Sequence, residues 1–325
     1  MAILQRSETV IALILLTAMV VIGLINPAFW NLDNLFGLVK SNVVIGIMAL
    51  GVLLVLLSGG IDVSFPAFAA AALYLTIKAM LATGYQGVVG PFVMATLIGL
   101  AFGAVNALFV HRFRMIPLIV TLGTGSMVRG FLLGVVGTSM ININMMPPAL
   151  IDFAKTDLVT MTQPDGSQYG LTAMVLVYAA VALLIHLLLR YTMIGRSIYA
   201  VGGDAEAARR VGFNLRTTML VVYCTAGALA GFAGLLHSSM IWLANPRDFV
   251  GLELDVIAAV VLGGASIFGG RGSVLGTILG VFMLVMVKNS LIIMKVDTTW
   301  QRVVVGVIVI VATAATVWRD RKRRA

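Results

Sequence analysis

Long uninterrupted runs of apolar residues decide what this chain can become. They lie at Val10–Ile25, Val43–Leu57, Phe65–Leu81, Pro91–Val110, Ile116–Val136, Leu171–Leu189, Met219–Leu236, Val256–Phe268, Val274–Met294 and Val303–Trp318. A helix needs about 20 apolar residues to cross a bilayer. Inside lipid its backbone must satisfy its own hydrogen bonds. The runs are too long and too evenly apolar for barrel strands. The expected fold is all-α: a polytopic membrane helix bundle of about ten transmembrane helices in one domain, residues 1–325. The charged share agrees. It is 11%, against 60% hydrophobic, and a soluble domain has about 25% charged residues.

Two runs, Val43–Leu57 and Val256–Phe268, are short for a full crossing. Both lead into glycine pairs, Gly59-Gly60 and Gly269-Gly270. Such segments suit broken or re-entrant helices, which survive only where protein or a water-filled cavity shields the backbone. Val43–Phe68 and Ala258–Gly280 share one loose pattern: apolar run, glycine pair, polar turn, apolar run. Duplication produces such a likeness, and so does chance. The first run lacks a clear small-residue cleavage signal and stops at Asn26-Pro27, so it reads as a retained span.

The net charge is +9, and it sits mostly beside the spans. Ten crossings with the amino terminus inside put 14 Lys and Arg in inner segments and 5 in outer ones, with 3 within or at the ends of spans, which accounts for all 22. Cationic loops stay on the cytoplasmic side, so both termini are expected there. This placement explains the charge without nucleic acid. The polar segment Gly137–Gly170 then faces outward, and the basic tail after Trp318 faces inward.

The inner loop Gly195–Asn214 reads GRSIYAVGGDAEAARRVGFN. Asp204 is placed to cap a short helix. Ala205, Glu206, Ala207, Ala208 and Arg209 favour helix, and Gly212 is a stop signal. Ala205, Ala208 and Val211 would share one face. So short a helix needs something to pack on, either lipid headgroups helped by Arg209 and Arg210 or a soluble partner.

Other motifs carry less chemistry. In Ser58-Gly59-Gly60-Ile61-Asp62-Val63-Ser64, Asp62 and Ser64 suit capping of the helix that follows. An interhelical turn explains the stretch, and a carboxylate at membrane depth also suits a pathway or gate. Thr121, Thr124, Ser126 and Arg129 give one helix a polar side, which Asn106 on the preceding span is placed to face. Glu253 and Asp255 enter the eighth span from outside, after Arg247 and Asp248. They suit either capping or contact with an outer partner. Gly276 and Gly280 form GxxxG, which lets helices approach closely. Lys288 is costly against lipid and is expected to face protein, water or an interface. No GxxxxGK[ST] loop is present, so the chain is not expected to hydrolyse ATP. His111, His186 and His237 lack metal-ligand spacing, the lone Cys224 suits packing, and no catalytic triad is visible.

The stretches SGGIDVS (58–64), PLIVTLGT (117–124), GRSIYAVGGDAEAARRVGFN (195–214) and ELDVIAAVVLGGASIFGGRGSVLGTILG (253–280) resemble permease subunits of bacterial ATP-binding-cassette importers. The likeness is to the branch carrying ribose and similar monosaccharides, within the branched-chain amino acid and sugar permease superfamily. Two positions depart from the pattern: Phe65-Pro66 follow the first motif where glycine is usual, and Asp204 stands where asparagine is usual. The resemblance implies a type II importer-like bundle in the bacterial inner membrane. It implies a second permease copy or paralogue, two cytosolic ATPase subunits that hold ATP and Mg, and a periplasmic sugar-binding protein. The loop 190–217 would couple to the ATPase through Gly195, Arg196, Gly203, Asp204, Glu206, Ala207, Ala208, Arg209 and Gly212. Asp62, Asn106, Thr121, Thr124 and Arg129 are the pathway or gate candidates. Three alternatives remain: a furanose-like signalling molecule or a branched-chain amino acid as cargo, an ion-driven sugar carrier using Asp62, and a membrane-embedded enzyme.

Overall fold

The computed structural model describes residues 7–162 and 168–297, with positions 300, 303, 304, 306, 307 and 310 beyond them. Arg6, most of the tenth apolar run and the basic tail lie outside the described residues. The helices are α1 (Ser7–Ile25), α2 (Leu32–Leu57), α3 (Phe65–Thr83), α4 (Val89–Arg112), α5 (Pro117–Phe131), α6 (Pro148–Ala154), α7 (Met174–Tyr191), α8 (Met193–Gly203), α9 (Ala205–Arg210), α10 (Leu215–Ile241), α11 (Leu252–Leu262) and α12 (Val274–Ile293). Among the described residues, eight helices are long and apolar enough to cross a membrane, with α5 carried on through a π-helical turn at Leu132–Val136.

Helix α2 is the centre. From Asn42 to Leu57 nearly every residue is buried, as expected of a helix that is apolar all round. It touches α7, α10, α11 and α12. The expectation that Val43–Leu57 is a short span is therefore corrected. Asn31 accepts from the Asp33 amide and starts the helix at Leu32, giving 26 residues. The other short run is broken: α11 holds 11 residues and ends at Leu262. The two glycine-bounded hairpins thus differ in helix length, whatever their origin.

Helices α4 and α10 pack backbone to backbone. A Cβ on Gly99 would overlap the Gly227 carbonyl, and one on Gly227 would overlap the Gly99 carbonyl. Gly103 abuts the Tyr223 carbonyl, and Gly231 abuts the Ala95 carbonyl. Helices α11 and α12 approach in the same way. Gly276 faces the Gly263 carbonyl and Gly280 the Ala259 carbonyl, which gives the GxxxG at 276–280 its partner. Gly276→Leu and Gly280→Leu should each lower thermal stability in detergent, since overfilling a packed contact costs about 1–3 kcal/mol. Unchanged melting of both variants would contradict this packing.

The polar segment after α5 is more structured than its sequence suggests. It contains α6 and an antiparallel hairpin of β1 (Asp157–Thr162) and β2 (Gln168–Thr172), a small departure from an all-α fold. Asp165 lies outside the described residues. Ile141 and Ala244 exchange backbone hydrogen bonds of 2.9 and 3.0 Å. The Tyr74 hydroxyl donates to the Ser139 carbonyl at 2.8 Å, and Lys155 lies over the Trp242 ring. These contacts gather the segment at one end of the bundle. The opposite end holds the turn 58–64, helices α8 and α9, and the loop between α11 and α12.

Candidate functional site

The expected docking loop forms two helices rather than one. Thr192 accepts from the Gly195 amide at 3.0 Å and starts α8. Gly195 is seated against the Leu188 and Leu189 carbonyls, where a Cβ would overlap both, so the chain can turn sharply out of α7. The sequence pattern does not reveal α8, because its glycines and polar residues mask the helical period. Helix α9 forms where expected. Asp204 Oδ1 accepts from the Glu206 and Ala207 amides at 2.9 and 3.0 Å. Gly212, with φ of 93°, ends the helix, and the Phe213 amide reaches the Ala208 carbonyl at 3.1 Å, a left-handed stop that glycine makes without strain.

Ala208 alone is buried on α9. Ala205 and Val211 are exposed, Val211 by 74%, so of the three residues expected to share one face only Ala208 packs on the bundle. Asp204, Glu206, Ala207 and Arg209 are also exposed, and Arg209 pairs with Glu206 at 3.1 Å. Behind this, α8 is anchored. Gly195, Ser197, Ile198 and Val201 are buried, and the Ser197 and Thr218 hydroxyls share a hydrogen bond to α10. Arg196 and Gly203 are exposed. The result is a firmly seated helix that presents a short polar one.

Four of the five pathway or gate candidates come together. The Asp62 carboxylate accepts from the Ser64 amide and hydroxyl at 2.7 and 2.6 Å. Asn106 Nδ2 donates to Ser64 Oγ at 2.9 Å, and Thr124 Oγ1 donates to Asn106 Oδ1 at 2.7 Å. The Val63 amide donates to Thr121 Oγ1, which donates to the Ile61 carbonyl, both at 3.3 Å. Asp62, Ser64, Asn106, Thr121 and Thr124 are all buried. They form a closed polar chain tying the turn 58–64 to α4 and α5. Buried polar groups are stable only when so satisfied. Asp62 holds the turn, but Ser64 directs its hydroxyl back to Asp62 and makes no side-chain cap to α3, a correction to the capping role expected of it. Arg129, half-buried further along α5, takes no part. The carboxylate that suggested an ion-driven carrier is hydrogen-bonded to Ser64 within the fold.

The outer-contact candidates divide. Asp255 forms an ion pair with Lys288 on α12, so Lys288 faces protein as expected and Asp255 already has a partner. Arg247 is exposed. Asp248 Oδ2 and Glu253 Oε2 are buried without a hydrogen-bond partner among the described residues. Burial raises the Asp248 carboxyl above the usual range, opposed by hydrogen bonding with Asn245.

Eight helices among the described residues that are long and apolar enough to cross a membrane, packed backbone to backbone with a capped helix held at one end, define a multi-pass membrane protein. The family model described as the branched-chain amino acid transport system / permease component matches residues 34–313, and the chain belongs to this family. The ribose import permease protein RbsC of Escherichia coli K12 is 31% identical, with 95% of this chain and 92% of that protein covered. RbsC of Bacillus subtilis 168 is 31% identical over 94% and 90%. The D-allose transport system permease protein AlsC of Escherichia coli K12 is 30% identical over 93% and 89%. No solved structure matches. The chain is thus a transport component rather than an enzyme.

Proposed function

We propose that this chain is the permease subunit of a monosaccharide ATP-binding-cassette importer in the bacterial inner membrane, forming the translocation pathway by alternating access. One observation carries the reading: similarity to ribose and allose permeases runs along nearly the whole of this chain and of those proteins. The partners would be a second permease, two ATPase subunits that bind ATP and Mg, and a periplasmic sugar-binding protein. This chain would bind no nucleotide. The Lys and Arg bias supports placing both termini and α9 on the cytoplasmic side. Helix α9 would seat in the ATPase through its exposed surface, with Asp204, Glu206, Ala207 and Arg209 in contact. Asp62, Asn106, Thr121 and Thr124 would serve as the hinge of the gate rather than as a sugar site.

The test is ATP hydrolysis by the complex reconstituted in liposomes, with and without ribose- or allose-loaded binding protein. Loaded protein should stimulate hydrolysis across the membrane, and the isolated chain should show none. Coupling between binding equilibria is reciprocal, so nucleotide should also change affinity for the outer protein. Equal hydrolysis with and without loaded protein would count against the reading.

Charge reversal on α9 is the sharper probe. Arg209→Glu removes the Glu206 pair, and Ala207→Trp fills the exposed surface. Both variants should insert normally and lose transport by about tenfold, a coupling change of about 1.4 kcal/mol. Normal transport with the ATPase still bound would remove α9 from the interface.

A further inference from the structure

Three glycine-bearing segments, distant in the chain, meet at the α9 end of the bundle. Gly59 follows the last turn of α2, Gly202 lies in the last turn of α8, and Gly269 and Gly270 stand between α11 and α12. The Gly270 amide donates to the Leu57 carbonyl at 3.0 Å. Gly202 lies over that bond: a Cβ there would overlap the Leu57 carbonyl and crowd the Gly270 amide. Gly269, with φ of 91°, faces both the Gly202 carbonyl and the Gly59 Cα. Beside them the Tyr199 hydroxyl donates to the Gly272 carbonyl at 2.9 Å.

Contact of this kind has a mechanical meaning. Side chains between helices absorb small shifts by changing rotamer. Here the backbones touch, and packed interiors transmit strain. Asp204, two residues after Gly202, caps α9. From Gly59 the chain continues into the Asp62–Asn106–Thr124 network, and from Gly270 into α12. We propose that Gly59, Gly202, Gly269 and Gly270 form a joint that passes displacement of α9 directly to the turn 58–64 and to the loop between α11 and α12. The two glycine-pair motifs are then the two receiving surfaces of one input helix. This rests on the reading of α9 as the ATPase-docking helix.

The experiment uses the full complex in liposomes with ribose and allose as probes. It reads bound ATPase, ATP hydrolysed and sugar taken up per ATP. Gly202→Ala should keep the ATPase bound and hydrolysing, while sugar per ATP falls by about tenfold. Alanine favours helix more than glycine, so a weakened α8 would not explain that loss. Tyr199→Phe leaves every backbone contact its space and should lower the ratio by about fivefold through the lost hydrogen bond. Gly37→Ala, where nothing stands near the added Cβ, should leave it unchanged. An unchanged ratio in assembled Gly202→Ala overturns the joint. If that variant does not insert, an unchanged ratio in Tyr199→Phe overturns it. A parent complex that binds no ATPase sinks the docking reading and the joint with it. Normal parent uptake with unaffected variants sinks the joint alone.

Discussion

Replacing Gly227 with leucine should remove folded protein from the membrane. Gly227 and Gly99 each lie against the carbonyl of the other, with Gly103 and Gly231 one turn away in the same interface. A leucine there meets backbone, not a side chain that could swing aside. Overpacking costs about 1–3 kcal/mol where neighbours can relax and more where they cannot. Stability of a whole domain is only about 5–15 kcal/mol. We expect Gly227→Leu to fall at or beyond the upper end of the overpacking range, and Gly227→Ala to be milder but measurable. The check is the fraction of protein that is monodisperse in detergent, together with its melting temperature. A leucine variant that extracts and melts like the parent would show that α4 and α10 separate without loss.

The second large effect is expected at Asn106. Its amide nitrogen donates to Ser64 Oγ and its oxygen accepts from Thr124 Oγ1, and the residue is 0% exposed. Asn106→Leu removes both bonds within the protein interior. Thr124 keeps a bond to the Val120 carbonyl and Ser64 keeps its bond to Asp62, so neither partner is wholly orphaned. Each lost bond is worth about 1 kcal/mol and misfit adds to it, for a total of about 2–4 kcal/mol. Asn106→Asp keeps the shape and the acceptor but buries a second carboxylate on the chain that holds Asp62. It should also fail, whereas Asn106→Gln should retain partial function. Melting temperature and sugar uptake, measured together, check this. A fully active leucine variant would remove the network from the transport cycle.

Much of this was legible from residue types. Apolar runs mark helices because lipid leaves the backbone no other partner, and Asp204 and Gly212 mark the ends of α9 because only the backbone amides and a positive φ are at issue. The pairing of Asn106 with Thr124 was also readable, since polar groups inside lipid must find one another. The start of α2 was not. Lys40 and the polar residues from Asn31 to Asn34 interrupt the apolar pattern of one continuous helix. Helix α6 and the hairpin were hidden because their stability comes from contacts made elsewhere. The interface of α4 with α10 carried a signal that was passed over: Gly99 and Gly103, like Gly227 and Gly231, have the same spacing as Gly276 and Gly280. The meeting of Gly59, Gly202 and Gly270 had no such signal. It is a long-range contact, and sequence spacing says nothing about it.

The ion pair between Lys288 and Asp255 bears on electrical behaviour. A single charge moved through the membrane field does work of about 2.3 kcal/mol per 100 mV. Here the opposite charges are joined across α11 and α12, so a shift that carries both helices together moves no net charge. The voltage across the membrane then neither drives nor resists that part of the cycle. Neutralising Lys288 alone would leave an unbalanced carboxylate on the shorter helix and make its displacement sensitive to voltage.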